Sequence, residues 1–168
     1  MRAMLSEEQA WKVLEGVPDP EVPAVSVVEL GIVRELVRAA DGDRFTVVVT
    51  PTYSGCPATE VIADTIRGAL LEAGAGSVEL HTRLEPAWTS DWIGEAAREK
   101  LRAYGIVPPE GRCAAGAPQP LRFVRKTLAC PRCGSTETEK LSEFGSTACK
   151  STWRCKACLE PFEYFKPI

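Results

Sequence analysis

The sequence has little of what would direct a protein to a membrane or to nucleic acid. No apolar run approaches the roughly 20 residues that a membrane helix needs. The first eight residues already carry charged side chains and lack the apolar core of a signal peptide, so we expect a cytoplasmic protein. The formal net charge is −3 and there is no basic run, which argues against a nucleic-acid partner.

Residues 121–168 have too few apolar side chains to form a core of their own, and a segment this small needs a disulfide or a bound metal to fold. Its cysteines indicate a metal, because Cys130 and Cys133 form one C-x₂-C pair and Cys155 and Cys158 form another. Each pair lets one tight turn present two thiolates, and four thiolates in a tetrahedron close a structural Zn²⁺ site. Iron or an iron–sulfur cluster is the alternative that the same ligands leave open.

Two further cysteines lie close to this pattern in the sequence. Cys149 precedes the second pair by six residues and is either an auxiliary thiol or a small packed side chain. Cys113 lies in a segment rich in Pro, Gly and Ala, with no cysteine at metal-binding spacing, and carries no assigned role. The Pro- and Gly-rich composition of residues 105–120 predicts a linker, so we expect a small zinc ribbon over residues 121–168.

Residues 1–104 have the periodicity of an α+β domain. Ser6 and Gln9 form a capping-box pattern at the start of a short helix. Strands are predicted over 25–39, 44–50 and 78–84, and helices over 57–73 and from Thr89 or Ser90 to 104. The order α-β-β-α-β-α predicts a two-layer domain with a small mixed sheet, in which the second and third strands are parallel. An exposed sheet edge would permit a homodimer.

Cys56 lies in the stretch TYSGCP, just before the predicted start of a helix at Pro57. A thiol at that position faces free backbone N–H groups and the positive end of the helix dipole, and both favour the thiolate. The position alone leaves open a second interpretation, in which Cys56 is a buried capping residue that never ionises.

The stretches DPEVPAVSVVELGIVR, TYSGCP and LEPAWTSDWI together resemble the MIP18 (DUF59) family, whose members work in iron–sulfur cluster assembly or transfer. A longer set, PAWTSDWIGEAAREKLRAYGIVPP, CPRCGS, SEFGSTACK and RCKACLEPFEYFKPI, is similar to the family of D subunits of bacterial phenylacetyl-CoA epoxidase. The second resemblance implies a non-catalytic accessory protein that helps to mature a metal centre. Its partners would be other epoxidase subunits, the di-iron oxygenase, the iron–sulfur reductase or both.

The resemblance also implies a site for transient iron or for an iron–sulfur cluster. Its ligands would be Cys56 with Asp19 and Glu21, while Thr52 and Ser54 would donate hydrogen bonds to a sulfur ligand. The alternative for the two carboxylates is that they cap turns or helices, and the alternative for the two hydroxyls is that they satisfy the turn. Two other functions stay open: a permanent non-catalytic subunit of the oxygenase, and a thiol-redox protein that acts through Cys56.

Overall fold

The computed structural model describes residues 5–110 and 127–168, which fall into two compact units. The first unit runs to Trp88 and includes Trp92–Gly94, and the second contains Thr89–Asp91 and the chain from Glu95 onward. The elements in chain order are α1 (Glu7–Glu15), β1 (Val33–Arg38), β2 (Arg44–Val49), α2 (Ala58–Glu72), β3 (Ser77–Thr82), a 3₁₀ turn (Ser90–Trp92), α3 (Glu95–Tyr104), β4 (Ile106–Val107), β5 (Thr138–Ser142), β6 (Lys150–Cys155) and β7 (Pro161–Phe165).

The first unit has the predicted mixed sheet. Its strand order is β1-β2-β3, with β1 antiparallel to β2 and β2 parallel to β3. The predicted capping box is present, because Ser6 accepts a hydrogen bond from the Gln9 amide and Gln9 accepts one from the Ser6 amide. Helix α2 buries a stripe of four residues: Ala58, Ile62, Ile66 and Leu70. These contacts confirm the α+β class and the α-β-β-α-β core of the prediction.

The first strand is much shorter than predicted, because residues 25–32 form turns instead. Ser26 and Glu29 exchange side-chain to backbone hydrogen bonds at 3.0 and 3.1 Å, which is a capping box inside a loop. Gly31 then takes a φ of +71°, which a residue with a side chain rarely adopts. The apolar side chains of this segment are buried as the pattern suggests, but in a loop.

The end of the predicted α+β domain also differs from the expectation. Strand β3 stops at Thr82, since its partner β2 ends at Val49, and the last helix begins only at Glu95. Ser90 does not cap that helix, because its hydroxyl is hydrogen-bonded to the backbone of Ile168. Helix α3 groups with the second unit, and the predicted domain limits at residues 104 and 120 stay predictions.

The second unit contains a four-stranded sheet in the order β4-β7-β6-β5. Strand β4 pairs in parallel with β7, so these two residues of the predicted linker are part of a sheet. The core cluster beside the sheet includes two of the paired cysteines and consists of Val107, Leu128, Cys130, Trp153, Cys155, Phe162 and Tyr164. Among the described helices, none combines the length and apolar character that a membrane span requires.

The topology of the first unit brings three loops to one end of its sheet. Strand β1 begins where β2 ends, and β3, which is parallel to β2, ends there too. The loop before β1 is held by Trp88, whose Nε1 donates to the Leu30 carbonyl at 2.9 Å. Trp92 adds a second contact, because the Arg34 guanidinium lies 3.6 Å from its ring centroid. The segment before β1 is therefore anchored at the end of the sheet where β2 ends and the chain continues to Cys56.

Candidate metal centre and thiol loop

Two tight turns present the four paired cysteines. In the first turn the Gly134 amide donates to the Cys130 carbonyl at 2.9 Å, and Gly134 has a φ of +74°. In the second turn the Cys158 amide donates to Sγ of Cys155 at 3.5 Å, and Leu159 has a φ of +65°. Each C-x₂-C pair therefore forms a knuckle that points two thiols the same way, as its spacing predicts.

The sulfur spacing fits a single tetrahedral ion. The Sγ atoms of Cys130 and Cys158 lie 3.7 Å apart, those of Cys133 and Cys155 lie 3.6 Å apart, and all four lie within 4.8 Å of one another. A Zn–S bond of about 2.3 Å places tetrahedral sulfurs about 3.8 Å apart. In a [4Fe–4S] cluster each cysteine binds a different iron, and in a [2Fe–2S] cluster two cysteines bind each of two irons, so in both some of the sulfurs lie further apart than around a single ion. The residues therefore fit Zn²⁺, which these four thiolates would hold with no coordination position open.

The four thiols also oppose one another electrostatically. The backbone N–H of Ser135 lowers the pKa of Cys133, but hydrogen bonding among the neighbouring thiols outweighs it and raises that pKa to about 12. At Cys155 the lowering effect is the larger one, because the backbone N–H of Cys158 donates to its sulfur and lowers the pKa of Cys155 to about 7. Four thiolates at this spacing need a cation between them, because like charges so close together cannot all form.

An ion pair that sequence patterns did not indicate joins the two knuckles. The guanidinium of Arg132, inside the first pair, binds the carboxylate of Glu160, which follows the second pair. The hydrogen bond to Glu160 raises the pKa of Arg132, and the negative charges of Glu160, Cys158 and Cys130 raise it further. The sequence shows a positive residue, Arg132, between two ligand cysteines, but only the folded structure shows that Glu160 is its partner.

Among the described cysteines, Cys149 does not join this group. Sγ of Cys149 lies 3.0 Å from the Thr147 hydroxyl, the residue is buried, and it is not one of the clustered ligands. That environment favours the packed side chain over an auxiliary ligand. Cys113 lies outside the described residues.

Cys56 is a free, partly exposed thiol beside the start of α2. The turn that precedes it closes when the Cys56 amide donates to the Tyr53 carbonyl at 3.3 Å, and Gly55 takes a φ of +83°. Pro57 is the N-cap of α2, so Cys56 lies immediately outside the helix, and it is not a buried capping residue. Thr52 is partly buried and Ser54 is exposed on the same loop.

Asp19 has a structural task of its own. It is 5% exposed, and its Oδ1 accepts hydrogen bonds from the amides of Glu21 and Val22 at 2.9 and 2.8 Å. Glu21 is exposed. Within the described ranges, the only group of three or more candidate ligands within 4.8 Å of one another is the set of four cysteines. The described residues thus show no preformed site of three ligands that includes Asp19, Glu21 and Cys56.

Comparisons with known proteins match both halves of the chain. Residues 7–81 match the family model of an iron–sulfur cluster assembly protein, and residues 115–166 match that of the PaaD zinc beta ribbon domain. Over 161 residues the chain is 47% identical to the putative D subunit of the 1,2-phenylacetyl-CoA epoxidase of Escherichia coli, covering 95% of this chain and 92% of the relative. The chain belongs to the family of phenylacetyl-CoA epoxidase D subunits.

Other relatives match the first half alone. The "Fe-S protein maturation auxiliary factor YitW" of Bacillus subtilis is 32% identical over 96 residues, covering 56% of this chain and 92% of the relative. A DUF59 domain from Bacillus anthracis has a TM-score of 0.52 at 25% identity, covering 56% of this chain and 90% of that one. A conserved hypothetical protein from Thermotoga maritima has a TM-score of 0.50 at 26% identity, covering 60% and 98%. The predicted family and fold class are thereby confirmed.

Proposed function

We propose that the protein is a non-catalytic maturation factor that delivers iron or an iron–sulfur cluster to a phenylacetyl-CoA epoxidase complex. The observation that carries this proposal is Cys56, a free and partly exposed thiol at the end of the sheet. It lies within the part of the chain that matches an iron–sulfur cluster assembly protein. The relative named as a subunit of an epoxidase supports such a complex as the recipient.

The cargo is a substrate of this loop and not a resident cofactor. Cys56 provides one thiolate, and Glu21 on the neighbouring loop provides an exposed carboxylate. Asp19 contributes by holding that loop, since one of its oxygens is already occupied by two backbone amides. Thr52 and Ser54 supply hydroxyl donors to a sulfur ligand. So few ligands bind iron weakly, and weak binding permits release to a partner that offers a complete set.

The zinc ribbon has a different task in this proposal. A closed Cys₄ site leaves no position for substrate, so its Zn²⁺ stabilises the fold of the second unit and takes no part in transfer. The recipient is the di-iron oxygenase, the iron–sulfur reductase or both. Membership of the D-subunit family also supports a second candidate, a permanent structural component that stays in the complex. The third candidate, a thiol-redox protein that uses Cys56, has no resolving cysteine beside Cys56 in the sequence.

Cys56→Ser tests the proposal, with Cys149→Ser as the control because Cys149 is a buried thiol outside the loop. Epoxidase is produced together with the wild-type protein or with either variant, and its iron per complex is measured. We expect Cys56→Ser to leave the circular dichroism spectrum unchanged and to lower the iron content, while Cys149→Ser keeps it. Full iron loading with Cys56→Ser, together with stoichiometric copurification, would instead identify a permanent structural component.

A further inference from the structure

Two buried polar atoms in the first unit have no hydrogen-bond partner among the residues that the structure describes. They are the hydroxyl oxygen of Thr50 and Nε of Arg83. Thr50 as a whole is 1% exposed, so bulk water does not compensate its hydroxyl for the missing partner. Unpaired buried polar groups are rare in native proteins, because the lost hydration costs free energy that no protein contact returns. Each such atom therefore needs an explanation.

The two atoms belong to neighbouring positions of the parallel pair β2 and β3. The register of this pair ends with Val49 opposite Thr82, so the next residues, Thr50 and Arg83, lie opposite each other. The Arg83 amide donates to the Val49 carbonyl at 2.9 Å, which extends the ladder to this pair. Residues opposite each other in a ladder point to the same face of the sheet. Both unpaired atoms thus lie on one face, at the carboxyl end of the two strands.

The chemistry of the two atoms selects an acceptor as their common ligand. Nε–H of arginine can only donate, and a threonine hydroxyl can donate as well. The Arg83 guanidinium is held at its other edge, where Nη1 donates to Glu35 at 2.6 Å. The free Nε–H belongs to a charged guanidinium, and hydrogen bonds to charged groups are stronger with an anionic acceptor, which favours a negatively charged ligand.

We propose that Thr50 and Arg83 together bind one oxygen of a small oxyanion, a carboxylate or a phosphate, at the end of the sheet. Parallel strands commonly place their ligands outside their carboxyl ends, which is the position of this pair. The inference is independent of iron transfer, because it does not use Cys56 or any other proposed ligand of the cargo.

The test measures thermal unfolding of the zinc-loaded chain by circular dichroism, with inorganic phosphate or acetate added at constant ionic strength. A ligand that binds only the folded state raises the melting temperature, and the rise grows with the logarithm of its concentration relative to its dissociation constant. We expect one of the anions to stabilise the wild type, and the anion with the larger effect distinguishes phosphate from carboxylate. Thr50→Val and Arg83→Gln should each weaken the affinity by about tenfold or more, because each removes a hydrogen bond to a charged group. Thr50→Ser keeps the hydroxyl and should keep the response.

Two control variants separate this site from general screening of charge. Thr46→Val changes the same face of β2 further from its end, and Arg44→Gln removes an exposed cation at the opposite end of the strand. Both should respond to the anions as the wild type does. Without anion, Thr50→Val should melt at or above the wild-type temperature, since its hydroxyl has no partner to lose. An equal anion response in all variants, no response in any, or a clear loss of stability in anion-free Thr50→Val would overturn the proposal.

Discussion

The buried ion pair of the second unit offers the sharpest test of how the ribbon is stabilised. Nζ of Lys150 lies 3.0 Å from Oε2 of Glu163, and the Lys150 side chain is only 1% exposed. Glu163 also accepts hydrogen bonds from the Ser146 amide at 2.6 Å and the Ser146 hydroxyl at 3.2 Å. The carboxylate therefore compensates a buried ammonium and ties the loop before β6 to β7.

Glu163→Gln keeps an oxygen for the Ser146 amide but removes the negative charge. The Lys150 ammonium then stays buried without a counter-charge, and breaking a buried pair in this way costs about 3–5 kcal/mol. Lys150→Met should cost less, about 1–3 kcal/mol, because the carboxylate it leaves is 25% exposed and keeps its bonds to Ser146. Glu163→Gln combined with Lys150→Met should cost clearly less than the sum of the two single changes, because no buried charge is left.

The assay is urea unfolding of the zinc-loaded chain. Zinc release reports on the second unit, and the larger part of the helical circular dichroism, which comes from α1 and α2, reports on the first. The two transitions are fitted separately, because a metal-bound protein of two units need not unfold in one step. The Lys140–Glu143 pair, exposed at both ends, supplies a control: Glu143→Gln should cost less than about 1 kcal/mol. A Glu163→Gln cost as small as that control, or strict additivity in the double variant, would refute the reasoning.

The same pair predicts the pH dependence of the second unit. Burial opposes ionisation of Glu163, but the Ser146 amide and Lys150 outweigh it and hold the pKa of that carboxyl below its usual 4.5. A lowered folded-state pKa stabilises the fold fully above the unfolded value and ceases to do so as pH falls through the folded value. Zinc release titrates in acid as well, so the contribution of Glu163 is the difference between wild type and Glu163→Gln. That difference should shrink below about pH 4.5.

The zinc site, its ion pair and one tight turn give three other predictions. Chelation of zinc should unfold β5–β7 and leave the circular dichroism of α1 and α2 intact, because the closed site contributes on the order of 10–16 kcal/mol; a loss of all helical signal would contradict it. Arg132→Gln, which breaks the ion pair with Glu160, should weaken zinc binding about 10–100-fold in competition with a chromophoric chelator. Gly31→Ala should destabilise the first unit by about 1–3 kcal/mol in urea unfolding, because the new Cβ would lie 2.8 Å from Cβ of Trp92 at a φ of +71°. The control is Gly68→Ala on α2, where the new Cβ meets open space, and it should stabilise the first unit by up to about 1 kcal/mol.

The sequence alone predicted the elements that depend on residues close together in the chain. The C-x₂-C spacing predicted the thiol cluster, since each pair needs only its own turn to aim two sulfurs. The capping box of Ser6 and Gln9 and the periodicity of α2 likewise depend on neighbours a few positions away. The apolar run before β1 failed as a strand prediction, because Ser26 and Glu29 close a turn that the hydrophobic pattern does not report.

The candidate sites depend on longer-range facts. Asp19 is suited to metal binding by residue type, yet the fold uses one of its oxygens for two amides of its own loop. The pairing of Thr50 with Arg83 follows from the register of β2 and β3, which no single-sequence pattern fixes. The type of a residue indicates which ligands it can bind. The hydrogen bonds of the folded chain then decide which atoms of that residue are still free to bind them.

The two kinds of thiol in this chain are suited to opposite tasks by the number of ligands around them. Four clustered sulfurs can surround an ion completely, so exchange of that ion requires the knuckles to open, and we expect the second unit to unfold with its loss. Cys56 is one partly exposed sulfur with no second cysteine in its loop, so an ion held there keeps open positions for ligands of a recipient. Delivery of metal and stability of the ribbon should therefore separate experimentally. Cys56→Ser should abolish transfer with the ribbon intact, and breaking the Lys150–Glu163 pair should weaken the ribbon while leaving the Cys56 loop folded.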